Sequence, residues 1–456
     1  MLGFKDLFSF DWGNATGTLR FNHLFSDKLF SNTSLIWSNY NYNIDINAGN
    51  ADFNIISRIQ DLNLKQDFEY FLDTRSTIKF GLNAIHHEIV PGAISAGESS
   101  GVNSRALPNR YSLENAVYAS HDYKINENLN LTYGLRVSAF SVLGPGDFYT
   151  NNAEGDPIDT TTYKSGDFVK TYFVPEPRVA LSYILSPEHS IKASYGRNAQ
   201  YLHLLSNTTA GSPTDMWLPS GTFVKPGLAD QVSLGYFRNF NDNNYEFSTE
   251  VYYKKLHNQI DYRDGAQLTF NANVEGELLI GEGRAYGIEF FVKKKYGKFN
   301  GWLGYTLSRS ERKFELINNG NFYPAKQDRT HDISLVGIYN LNDKWTFSST
   351  FVYYTGNAIT FPSGKYMMNG RIENLYTERN GYRMPAYHRM DIGATWIRKK
   401  TEKFESSWAF SIYNVYAREN AYLIQFEPSE TDPSRTEAIQ VALFKMVPSF
   451  SYNFKF

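Results

Sequence analysis

Cysteine is absent from the 456 residues, so neither a disulfide nor a thiolate metal site is available. Any run of 18 or more apolar residues is also missing, which removes the transmembrane helix. A transmembrane β-barrel survives that test, because it hides its membrane signal in alternation. Charge of either sign is not in excess. The 45 Lys and Arg against 47 Asp and Glu leave a net charge of -2, without the basic surplus that nucleic-acid binding draws on. The opening Met1-Leu2-Gly3-Phe4-Lys5-Asp6 lacks the basic start, apolar core and small-residue cleavage site of a signal peptide.

What the chain has in abundance is aromatic rings: 33 Tyr, 34 Phe and 7 Trp, in a sequence of negative mean hydropathy. Rings spread through a hydrophilic chain point to strands rather than to a large aliphatic core. The rings also alternate. Phe450, Tyr452, Phe454 and Phe456 stand at every second position of the closing stretch, with Ser451, Asn453 and Lys455 between them. Over 245–255, Tyr245, Phe247, Thr249, Val251 and Tyr253 share one face; over 404–416, Trp408, Phe410 and Ile412 do the same. In 189–197, Ile191, Ala193 and Tyr195 are set against Lys192, Ser194 and Arg197. Such runs reach the roughly 9–11 residues that cross a bilayer as a strand and exceed the usual soluble strand of about 5–6.

Short polar turns, among them Ser26-Asp27-Lys28, Asn126-Glu127-Asn128 and Asn241 to Asn244, recur roughly every 45–60 residues and join long runs as hairpins. Between hairpins lie longer Gly-, Asn-, Ser-, Pro- and Asp-rich stretches at 91–110, 144–169, 202–227, 313–327, 358–384 and 420–437. A repeat of about 50 residues also occurs in kelch propellers, but a blade needs four short strands and here each repeat offers two long ones and a loop. The expected fold is therefore all-β: an antiparallel transmembrane β-barrel with short periplasmic turns and long extracellular loops, filling 1–456 as one domain. About seventeen strands are countable. Single-chain bacterial barrels have even numbers, so the odd count and the missing signal peptide together lead to the expectation of an N-terminally incomplete barrel.

Seven stretches resemble the barrel of TonB-dependent outer-membrane receptors, especially the Bacteroidota type. They are Trp12 to His23 (WGNATGTLRFNH), Pro175 to Arg178 (PEPR), Ser194 to Tyr201 (SYGRNAQY), Arg284 to Glu289 (RAYGIE), Asp328 to Asp332 (DRTHD), Tyr387 to Asp391 (YHRMD) and Tyr413 to Tyr416 (YNVY). The terminal Phe456 is similar too, and with Phe450, Tyr452 and Phe454 it resembles the C-terminal signal that the barrel-assembly machinery reads. The resemblance implies a barrel of about 22 strands with a plugged lumen, so that some five strands, the plug and the signal peptide would precede this sequence. It further implies a receptor in the outer membrane of a Gram-negative bacterium. Such a receptor binds a nutrient (an iron–siderophore, cobalamin, a glycan or a peptide) at its outer loops and imports it with the TonB complex acting through the plug. No enzymatic step and no cofactor are expected; a passive porin or adhesin-like barrel and a barrel-embedded hydrolase are the alternatives.

Several clusters could carry chemistry. Tyr201, His203 and Trp217, with Tyr366, Tyr376, Tyr382 and Arg383, are the candidate ligand contacts, since aromatic and Arg side chains anchor binding surfaces; an outer aromatic girdle would use the same residue types. In His86-His87-Glu88 the two histidines point to opposite faces of a strand and cannot share an ion, and no metal site is expected. Asp147, Glu154, Asp156, Asp159 and Asp167 could offer several oxygens to calcium but lack EF-hand spacing and suit a solvated loop. Asp328, Arg329, His331 and Asp332 have a catalytic flavour without a demonstrable nucleophile; Arg329 and Arg389 are expected to pair with carboxylates across the lumen. Lys293, Lys294, Lys295 and Lys298 suit a solvated periplasmic turn.

Overall fold

The computed structural model describes residues 8–48, 51–96, 104–152, 155–205, 215–266, 268, 271–368, 371–429, 431–432 and 435–456. Among them, nineteen strands belong to one large sheet. Two of these, Arg105–Ala106 and Tyr323–Pro324, are two-residue additions, and the other seventeen are the long runs the alternation foretold. They are β1 (Phe8–Ser26), β2 (Leu29–Ala48), β3 (Ala51–Asp73), β4 (Ser76–Ala96), β5 (Arg110–Lys124), β6 (Leu129–Leu143), β7 (Phe168–Ser186), β8 (His189–Gln200) and β9 (Gly227–Phe240), followed by β10 (Tyr245–Tyr262), β11 (Leu278–Lys294), β12 (Phe299–Lys313), β13 (His331–Asn340), β14 (Trp345–Tyr354), β15 (Tyr387–Lys400), β16 (Glu405–Tyr413) and β17 (Val447–Lys455). Among the described residues no helix is long and apolar enough to cross a membrane.

The chain forms two compact units, one of Met1–Leu181, Ser194–Asp230 and Leu256–Glu282, the other of Ser182–Ala193, Gln231–Lys255 and Gly283–Phe456. In the first, β1 to β6 run as an antiparallel meander, with register shifts at Leu24/Ser26, Ile56/Arg58 and Phe71/Asp73. Leu19 stands opposite Leu35, Leu35 opposite Leu64, and Leu64 opposite Ala84. These rows stay uncovered: Leu19, Leu35, Trp37, Leu62, Leu64, Leu82, Val117 and Leu135 are all exposed on this apolar face. The other face is polar and partly covered, with Ser34, Asn83, Ser112 and Ser138 buried. An exposed apolar surface this extended is foreign to a monomer in water and suits strands that meet lipid on one face.

In the second unit, β12 to β17 repeat the pattern. Leu303 stands opposite Leu335, and Leu335 opposite Phe351. At the end of the chain, Phe450 faces Phe410 and Tyr452 faces Trp408, whose rings are 4.9 Å apart. Phe450, Tyr452, Phe454 and Phe456 are all exposed. The short turn before β10 works because Asn241, Asp242 and Asn243 take positive φ of 55°, 53° and 61°, which Asn and Asp tolerate best among residues with a Cβ.

Several of the long connections contain small hairpins of their own. Gly146–Asn151 pairs with Pro157–Tyr163, and Leu202–Leu205 with Met216–Pro219. In the second unit Gly364–Met368 pairs with Arg371–Leu375, and Leu423–Pro428 with Thr436–Val441. A long connection leaves many backbone donors and acceptors to satisfy, and a small hairpin satisfies them locally.

Candidate ligand-binding site

In the first unit a cavity of 380 Å³ opens on the polar face, reaching from mid-strand positions of β4, β6 and β7 to the long-loop ends of β5 and β8. It is lined by His87 of β4, Ser112 and Glu114 of β5, Arg136 and Phe140 of β6, Glu176 and Arg178 of β7, and Asn198 to Leu202. Alternation puts these side chains together, since residues two apart on each strand point the same way. Glu176, 5% exposed, is the hub. It accepts from Ser138 Oγ at 2.5 Å and pairs with Arg136 Nε at 3.5 Å and Arg178 Nη2 at 3.8 Å. Arg136 also reaches Glu114 at 3.1 Å, Arg178 donates to Asn198 at 3.1 Å, and His87 Nδ1 lies 2.7 Å from Asp61.

Tyr201, 7% exposed, stacks flat on Phe140 with centroids 4.7 Å apart. Its hydroxyl makes no well-formed hydrogen bond among the described residues. Burial pushes that hydroxyl up to about 12, so it is a neutral donor without a committed acceptor. The cavity falls in the size range of small-molecule sites, about 300–1,000 Å³. It joins paired charges, an aromatic wall and one spare donor.

Beside the cavity Leu202–Leu205 pairs with Met216–Pro219, and these two strands hold two more of the expected contacts. His203 stands opposite Leu218 and Trp217 opposite Leu204. His203 is buried and lies 3.1 Å from Ser220 Oγ; burial lowers its pKa to about 4, so the ring is neutral at physiological pH. Leu205, Leu218 and Val224 pack on Leu268, Val274 and Leu278 in one apolar cluster. Glu275 accepts from the Phe223 amide at 2.9 Å, with its pKa raised by burial. A Cβ on Gly221 would fall 2.1 Å from a Glu275 carboxylate oxygen, so a larger residue there would displace that carboxylate.

Tyr366, Tyr376, Tyr382 and Arg383 lie in the second unit. Tyr366 and Tyr376 are exposed, Tyr366 on and Tyr376 beside the paired strands Gly364–Met368 and Arg371–Leu375. Tyr382 stacks on Phe361 at 5.0 Å. Arg383 is already committed: it binds the buried Asp328 carboxylate and donates to the carbonyls of Asp328 and Gly356. Asp328 also accepts from the Ser310 amide at 2.5 Å.

On the polar face of this unit the DRTHD, YHRMD and YNVY stretches meet. Arg329 lies 3.7 Å over Tyr354, Tyr354 stacks on Tyr387 at 4.6 Å, Arg389 donates to the Tyr387 hydroxyl at 3.2 Å, and Arg389 lies 4.1 Å over Tyr413. Arg329 pairs with Asp332 at 3.6 Å and Arg389 with Asp391 at 3.0 Å. The carboxylates these arginines find are thus sequence neighbours rather than groups across a lumen. His331 leaves the group and bonds Tyr305 at 2.9 Å, as adjacent positions on a strand must diverge.

The remaining clusters have local partners. Glu88 pairs with Arg58 at 3.0 Å, away from His87. Asp147 accepts from Thr162 and Asp167 from the Lys164 amide, while Glu154 lies outside the described residues. Lys295 pairs with Glu246 at 3.3 Å. Tyr195 and Arg197, expected on opposite faces, both bond Asp230 at 2.8 Å, because positions two apart share a face. Sequence reading missed Glu114, Arg136, Glu176 and Arg178 as a group; the polar phase of the alternation carried them, but not their convergence from three strands.

A model of the family described as TonB dependent receptor-like, beta-barrel matches residues 3–415. No curated protein matches the chain. Among solved structures, the ferric-catecholate import receptor Fiu of E. coli is similar with a TM-score of 0.65 at 14% identity, over 98% of this chain and 65% of that one. The copper transporter OprC gives 0.65 at 11% identity over 98% and 65%. The ferripyoverdine receptor of the Pseudomonas aeruginosa outer membrane, bound to ferripyoverdine, gives 0.64 at 14% over 97% and 56%. The chain therefore spans less than two thirds of each of these structures, and at such identities the likeness is one of fold.

Proposed function

The chain belongs to the TonB-dependent receptor-like β-barrel family, and from that premise we propose that it is the barrel of an outer-membrane active-transport receptor. The apolar face meets lipid, and the polar face lines the path of a nutrient entering from the long-loop side. The observation that carries this reading is the cavity of 380 Å³ with paired charges and the spare Tyr201 donor, set on the polar face of strands whose other face is apolar. The chain's own groups bind and orient; energy to release the nutrient inward comes from TonB acting through a plug. The solved structures similar to this chain carry titles naming ferric chelates and copper, and a metal chelate with polar periphery is the substrate class proposed first.

Uptake of radiolabelled ferric chelates tests this in cells that carry the full-length gene as their only such receptor, with and without TonB. Accumulation that disappears without TonB is expected. Entry that proceeds equally without TonB identifies a passive porin instead.

A further inference from the structure

The apolar face of the second unit ends, at its long-loop side, in a group of charges that the nutrient path does not use. On β11 the row Val292, Phe290, Ile288 and Tyr286 leads up to Arg284; on β12 Leu303, Tyr305 and Leu307 lead up to Arg309, Glu311 and Lys313. Phe290 stacks on Tyr305 at 6.3 Å within the apolar part. Above it, Glu311 is 5% exposed and accepts from Arg284 Nε at 2.7 Å and from Arg309 Nε at 2.9 Å. The Nη groups of both arginines have no protein partner among the described residues. Phe322 forms a plate beside them, 4.0 Å from Arg284 Cζ and 5.6 Å from Lys313 Nζ.

Two arginines thus share one carboxylate, with Lys313 beside them over the Phe322 ring, and that carboxylate holds both guanidinium groups through Nε. Free Nη edges held in place suit the paired oxygens of a phosphate. Height matters as much as charge. Immediately above an apolar band, cations sit where a bilayer keeps its headgroups. We propose that Arg284, Arg309 and Lys313 form a binding site for the phosphate of a phosphorylated lipid headgroup in the leaflet around the long-loop ends.

The test uses the full chain in phosphatidylcholine nanodiscs that contain either phosphorylated or dephosphorylated lipid A, with retained lipid counted by native mass spectrometry. Wild-type protein is expected to enrich the phosphorylated form alone. Arg284→Gln with Arg309→Gln should weaken retention about 25-fold, and Lys313→Gln about fivefold. Should the double variant fail to insert, Lys313→Gln carries the test, because Lys313 makes no ion pair among the described residues. Equal retention by the wild type and the variants overturns the proposal. So does complete displacement by inorganic phosphate, which would mark a site for free anions.

Discussion

Acidification should unlatch the paired strands Leu202–Leu205 and Met216–Pro219, and His203 sets how far. Its ring is 7% exposed beside Ser220, and burial lowers its pKa from 6.5 to about 4. The closed-state value lies below that of the open, hydrated ring. The stabilisation is therefore fully present above about pH 6.5 and is lost as the pH falls toward 4. A shift of that size corresponds to about 3 kcal/mol in all, of which about 2 kcal/mol is gone at pH 5. The opening constant of the strand pair should then rise ~30-fold between pH 7.5 and pH 5. Glu275, whose carboxyl is raised by burial, works in the opposite sense, so the difference between wild type and His203→Gln isolates the histidine. Amide hydrogen exchange at 202–205 and 216–218, corrected for intrinsic rates, provides the measurement. Equal pH dependence in wild type and His203→Gln would refute the reasoning.

Three further perturbations follow from individual contacts. Arg383→Ala leaves Asp328, 1% exposed, with only the Ser310 amide among these partners, and should lower urea stability in vesicles by about 2–3 kcal/mol, discounted for Arg383's partial exposure; a loss under 0.5 kcal/mol would show that the pair is idle. Gly301 has φ of 153° and a Cβ there would meet the Val336 carbonyl oxygen at 2.1 Å, whereas one on Gly17 has only a Trp37 carbon at 4.0 Å. In the same assay Gly301→Ala should cost about 2–4 kcal/mol and Gly17→Ala close to nothing. Removing Phe456, exposed at the end of the Phe450, Tyr452, Phe454 row, should slow assembly into the outer membrane in cells while leaving refolding into detergent unchanged; unaltered assembly would contradict a signal role.

Much of the fold was legible because alternation is a local property. Two-residue periodicity in Leu303-Tyr305-Leu307 or Phe450-Tyr452-Phe454 needs no knowledge of the neighbouring strand, and both rows lie where that period puts them. The site was less legible because it depends on register. Glu176 meets Arg136 and Ser138 across a strand pair, and nothing in either stretch announces the partner. Tyr201 and His203 were found by residue type, yet the features that distinguish them, a spare hydroxyl and a neutral buried ring, arise from packing against Phe140 and Ser220. Arg383 was readable as a candidate ligand contact, but Asp328 lies 55 positions away and claims it.

The central claim is that one face of the strands meets lipid and the other water. Spin labels placed one at a time along β2, at Leu35 and Trp37 and at the intervening Ser34, Ile36 and Ser38, test it in vesicles by collision with dissolved oxygen and with a water-soluble nickel chelate. Labels at Leu35 and Trp37, on the exposed apolar face, should collide with oxygen and be shielded from nickel, while their neighbours show the reverse, giving a period of two. A flat profile, or nickel access at every position, would contradict the account.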